Sequence, residues 1–108
     1  MENESFRVIV ASQDVEQLVS HAAFLANVSA DAAERLVTSF EAAAASLSVS
    51  PLRRPFLRAR FIPGNTYRTL LFEKRYMLIY QVIDQAVYID HVVDCRQDYS
   101  WFLHNTTR

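Results

Sequence analysis

The apolar residues of this chain change their period once, and that change limits the folds it can adopt. From Val15 to Leu47 they recur every three or four positions, and from Thr66 to Val93 every two. The first spacing lines one face of a helix and the second one face of a strand. Helices followed by strands, without alternation, point to a helical layer on an antiparallel sheet.

In detail, "FRVIVA", Phe6 to Ala11, reads as a short opening strand rich in β-branched residues. Ser12 is placed to cap the next segment, with Asp14 and Glu16 suited to the positive end of a helix. Val15, Leu18, Ala22, Leu25 and Val28 form one apolar stripe. Ser29 caps a second helix, with Asp31 in its first turn. Its stripe is Ala33, Leu36, Val37, Phe40, Ala44 and Leu47. So short a joint folds the two helices back as an antiparallel hairpin. Pro51 and Pro55 end the helix and predict an extended basic connection. "PGN", Pro63 to Asn65, is a turn signal. Strands are expected over Thr66 to Glu73, Tyr76 to Ile83 and Ala86 to Val93, joined by the hairpin-length "EKR" and "DQ". The middle one, "YMLIYQVI", is apolar on both faces, as in a central strand with both sides covered.

The expected architecture is therefore α+β, in the order β-α-α-β-β-β, with a helical hairpin on one face of a mainly antiparallel sheet. The position of the first strand in that sheet stays open. At 108 residues and 51% hydrophobic content the chain can bury a real core, and residues 1–108 are expected to form one domain. Cys95, the one cysteine, has no internal disulfide partner and reads as a reduced, unactivated thiol. The opening "MENESF" lacks a signal-peptide pattern and no apolar run is long enough to span a bilayer, so the expected location is the cytoplasm, with no membrane partner.

Charge is divided along the chain. Residues 1–48 carry seven acids and two bases, whereas residues 49–108 carry nine bases and five acids. Arg53, Arg54, Arg58, Arg60, Arg68, Lys74 and Arg75 fall close together in sequence, with Glu73 the acid among them. Ten of the eleven cations are arginine, whose planar guanidinium pairs with carboxylates and phosphates in a way lysine cannot reproduce. Such a cluster suits an acidic protein or a phosphate, although a solvated face would look the same.

Other chemistry is sparse. There is no phosphate-binding glycine loop or dinucleotide motif. His21, His91 and His104 lie far apart without metal-ligand spacing, so no metal or cofactor is expected. His91, within a strand, reads as a packed sheet residue rather than a general base. Arg96 has a structural role open to it, pairing with Asp94 or Asp98. Tyr99, Trp101, Phe102 and Leu103 crowd four large side chains into five positions. Trp101 is expected to dock on the domain and fix Arg96 at the end of the sheet.

Four strings carry a family resemblance: "FRVIVASQDVEQL", "SADAAERLVTSFEAA", "SPLRRPFL" and "YRTLLFEKRYMLIYQVIDQAVYIDHVVDCRQD". In this order and spacing the chain resembles the RelE/ParE superfamily of bacterial toxins from type II toxin–antitoxin modules, also known as plasmid stabilisation proteins. The resemblance implies a cognate antitoxin and a growth-inhibiting activity. Relatives of the RelE kind cut messenger RNA in the ribosome with strand cations and a C-terminal aromatic hydroxyl. On this chain Arg68 and Arg96 match such cations, while Leu70 and Met77 replace a lysine and an arginine. The tyrosine position falls on Phe102, one turn from Tyr99. The catalytic candidates Arg68, Arg96 and Tyr99 are thus an incomplete set.

Relatives of the ParE kind poison DNA gyrase by binding it, and the second-helix string and "RQD" are closer to them. Gyrase binding is the favoured expectation and messenger-RNA cleavage the alternative. A third possibility is a non-toxic interaction domain that only binds antitoxin. The oligomeric state stays open. The family mapping also places Arg68 and Met77 on the sheet face away from the helices. That face would expose Leu70, Phe72, Met77 and Ile79 as a binding patch, bordered by the Arg53–Arg75 cations.

Overall fold

The computed structural model describes residues 5–57 and 64–95. Strand β1 (Arg7–Val10) leads into helices α1 (Ser12–Ala26) and α2 (Ala30–Ser46). A 3₁₀ turn at Pro51–Arg53 precedes strands β2 (Arg68–Phe72), β3 (Tyr76–Ile83) and β4 (Ala86–Asp94). The result is an α+β fold with two helices and a four-stranded sheet in the order β1-β4-β3-β2. β3 runs antiparallel to both β2 and β4, and β1 runs parallel to β4.

The helix boundaries follow local chemistry. Ser29 caps α2 as expected, its Oγ accepting from the Ala32 N–H at 3.2 Å. At α1 the expectation of a Ser12 cap is corrected. Ser12 is the first helical residue, and the Asp14 carboxylate reaches back to accept from the Ala11 N–H at 3.2 Å. An acid in the first turn can satisfy that donor when the capping position lacks an acceptor. Pro51, which is buried, opens the 3₁₀ turn Pro51–Arg53, and the chain is extended from Arg54, with Phe56 bridged to Arg68.

Leu18 of α1 and Leu36, Phe40 and Leu47 near or in α2 pack on Leu70, Phe72, Tyr76, Leu78, Tyr80, Val87, Ile89 and Val92. Each such side chain contributes roughly 1.5–3 kcal/mol when fully buried. The α1 stripe is narrower than its spacing implied: Val15 and Val28 are exposed. On the other face, Ile79 and Val93 are buried with Leu57, and Tyr67 and Met77 pack beside them. β3 is therefore covered on both sides, the second cover being the segment that leaves the 3₁₀ turn.

β4 carries one irregularity that shapes the corner with α1. Ile79 pairs with His91 and Tyr80 with Ile89, so Asp90 is an extra residue. β1 ends at Val10, opposite Ile89. Beyond that point α1 supplies what a strand would have supplied. Gln17 Oε1 accepts from the Val92 N–H at 2.8 Å, and a His21 ring nitrogen lies 3.3 Å from the Val92 carbonyl. Gln13 donates a longer bond, 3.4 Å, to the Asp90 carbonyl. These three residues are four apart and line one side of the helix. Among the described residues no helix is long and apolar enough to cross a membrane.

Candidate functional site

The register of the β2–β3 hairpin decides which side chains share a face. Phe72 pairs with Tyr76 across the three-residue joint Glu73–Arg75, so Leu70 faces Leu78 and Leu71 faces Met77. Glu73 and Lys74 both take positive φ to close this turn. A two-residue joint would have aligned Leu70 and Phe72 with Met77 and Ile79; the three-residue joint puts them on opposite faces.

The expected patch is therefore corrected. Leu70 and Phe72 lie under the helices, with the Phe72 ring edge-on to Phe40 at 6.1 Å. Met77 and Ile79 do face away from the helices. Ile79, however, is fully buried in the cluster with Leu57, and Met77 is half-buried beside Tyr67. The hydrophobic side chain left exposed on β2 is Leu71.

Arg68 is also displaced from its expected face. It shares the parity of Leu70 and pairs with Tyr80. Its Nη1 donates to the Leu52 carbonyl at 3.1 Å and the Arg54 carbonyl at 2.7 Å, and its guanidinium lies 3.9 Å over the Phe56 ring. The Tyr80 hydroxyl, buried beneath it, donates to the Pro51 carbonyl at 2.7 Å. Burial pushes that phenol up to about 12, against the opposing pull of Arg68 and Arg54. Both groups act as ties holding the 3₁₀ turn. Arg53 and Arg54 project from that turn as exposed side chains. Arg58, Arg60, Arg96, Tyr99 and Trp101 lie outside the described residues, as does the expected docking of Trp101.

Sequence reasoning missed the ion pair at the other end of the sheet. Arg75 Nη2 donates to Asp94 Oδ2 at 2.8 Å, Asp94 is 1% exposed, and the guanidinium also lies 5.3 Å from the Tyr76 ring centre. The Asp94 hydrogen bond raises the Arg75 pKa further. The signal was the register, which places Asp94 opposite Tyr76 and so beside Arg75. A carboxylate expected to orient Arg96 is thus bound to a cation of the β2–β3 turn. Glu73 in the same turn accepts from Ser39 Oγ at 2.6 Å and pairs with Arg35 Nε at 3.5 Å.

Burial also perturbs two groups, one in β4 and one in the residue after it. Burial lowers the pKa of half-buried His91, with Asp90 acting in the opposite direction. Burial, then the neighbouring Asp94, raises the Cys95 thiol. The half-buried position of His91 fits the packed sheet residue read from sequence. Among the described residues no cluster of histidine, cysteine and acids could hold a metal ion.

On the face away from the helices, β2 to β4 present Thr69, Leu71, Met77, Ile79, Gln81, Ile83, Ala86, Tyr88, His91 and Val93, none of them Lys or Arg. β1 adds Arg7, beside Ala86, and Ile9, beside Tyr88. A family model described as "ParE toxin of type II toxin-antitoxin system, parDE" matches residues 9–99. No curated protein matches the chain at a significant level.

Proposed function

Because this chain belongs to the ParE toxin family of type II toxin–antitoxin systems, we propose that it halts growth by binding an essential protein, DNA gyrase, rather than by cutting messenger RNA. Membership makes the chain the toxin of a pair whose partner is a cognate antitoxin. The choice of target is our own reading.

The observation that carries it is that, among the described residues, β2 to β4 present no cation on the face away from the helices, the cation there being Arg7 on the edge strand β1. RNA cleavage needs positive groups to hold the phosphate and a group to move the proton of a 2′-hydroxyl. Leu70, at a position where RNA-cutting relatives have a lysine, is packed beneath the helices. Met77, at an arginine position, presents a thioether. Arg68 is turned to the loop carbonyls. Such a face suits contact with a protein better than transfer of charge and protons.

The test is direct. Purified toxin added to gyrase and relaxed plasmid should block supercoiling, and ribosome-bound messenger should stay intact at the same concentration. Codon-positioned cuts in the messenger with supercoiling unaffected would overturn the proposal. Normal growth on expression of the chain without its antitoxin would do so as well.

A further inference from the structure

A cleft of about 300 Å³ lies between the end of α2 and the 3₁₀ turn, lined by Ser46, Val49, Ser50, Arg53 and Arg54. Its charged lining is two guanidinium groups, with no carboxylate. Neither guanidinium is paired with an acid among the described residues.

The turn carrying these arginines is held in place before any ligand arrives. The Pro51 carbonyl accepts from Tyr80 Oη, and the Leu52 and Arg54 carbonyls accept from Arg68 Nη1. Just beyond, the Thr69 N–H donates to the Pro55 carbonyl at 3.0 Å and the Leu57 N–H to the Tyr67 carbonyl at 2.6 Å. Five hydrogen bonds thus fasten the segment to β2, β3 and the residue before β2. Preorganisation of this kind lowers the ordering cost of binding.

We propose that this cleft is a docking site for an acidic peptide segment of the antitoxin, in which a carboxylate sits beside an apolar residue. The carboxylate would be gripped by Arg53 and Arg54, for which paired N–H···O bonds are the favoured geometry. The apolar residue would lie on Val49, which lines the cleft and is 72% exposed. One feature favours a peptide over nucleic acid: the lining contains no aromatic ring on which a base could stack. The inference rests on the toxin–antitoxin reading for the source of the segment and is independent of gyrase as the target.

The experiment is an amide-resolved NMR titration of the full chain with a capped peptide of alternating leucine and glutamate. Its glutamine counterpart and a single-stranded oligothymidine serve as comparisons. The glutamate peptide should shift the amides of Ser46, Val49, Ser50, Arg53 and Arg54, and the glutamine peptide should bind far more weakly. The double variant Arg53→Gln, Arg54→Gln should lose at least tenfold in affinity while its melting temperature stays unchanged, because both side chains are exposed. Tighter binding of the oligothymidine would overturn the proposal. So would shifts confined to other residues, an unaffected double variant, or no binding at millimolar peptide. None of these results depends on the supercoiling assay, so the two readings fail separately.

Discussion

At the scale of single residues, Asp14 stands out as a buried acid with no cation beside it among the described residues. Its side chain is fully buried, Oδ2 accepts from the Ala11 N–H, and Oδ1 has no hydrogen-bond partner. Burial raises its pKa from 3.8 to about 6, the Ala11 bond opposes this, and the nearby Asp90 adds to it. The folded state therefore holds the Asp14 proton more tightly than the unfolded chain does. Stability from this group is present at low pH and is lost as pH rises through about 6. Above that, the buried charge costs roughly 3 kcal/mol, taken from the shift at about 1.4 kcal/mol per unit. Asp14→Asn keeps an acceptor for Ala11 and removes the charge. It should melt several degrees higher than the parent at pH 7, and the gap should close toward pH 4.5. Thermal melts of both proteins across that range check this, and an unchanging gap would count against the burial argument. The sequence showed Asp14 only as a first-turn acid, because burial of a polar residue depends on what the fold places over it.

At the scale of elements, the corner between α1 and β4 combines a bulge with a helix that stands in for a missing strand. Val92 is buried, and its N–H has Gln17 as acceptor. Gln17→Leu would leave that donor unsatisfied, at a cost of roughly 1–3 kcal/mol. The variant should melt several degrees lower, with the Val92 amide exchanging faster with solvent. Gln13→Ala, which removes a longer bond from an exposed side chain, should be close to neutral in the same assay. Equal effects of the two would show that the bulge is held in another way. The spacing of Gln13, Gln17 and His21 was visible from the start. Its meaning was not, because polar residues four apart on a helix ordinarily face water.

At the scale of the whole molecule, the strand order sets where the fold opens first. β3 and β4 lie between neighbours, while β2 is an edge. Thr69 points its N–H outward to Pro55, so by the alternation of an antiparallel ladder Leu71, two residues on, points outward too. The Leu71 amide should exchange orders of magnitude faster than the amides of β3, which should exchange only on global unfolding. Hydrogen exchange followed residue by residue tests this. Equal protection at Leu71 and in β3 would mean that something covers the β2 edge. The parallel pairing of Arg7 with Ala86 closes the chain across most of its length, a non-local contact of the kind that slows folding.

The sequence by itself determined what depends on near neighbours. The change of period placed two helices before three strands, Ser29 marked the start of α2, and the short joints made a helical hairpin and a strand meander. The α+β class was legible on that basis, and the toxin family in the resemblance carried by four strings. The tertiary structure alone decided what depends on distant partners or on counting by one residue. It set β1 against β4, drew Arg75 to Asp94, and turned Arg68 toward the loop carbonyls. It also buried Leu70 and Phe72 under the helices, because a three-residue turn at Glu73–Arg75 reverses the face that a two-residue turn would have given. Local pattern fixes which side of a strand is apolar, but the face it meets is set by register, and register is settled only when the strands pair.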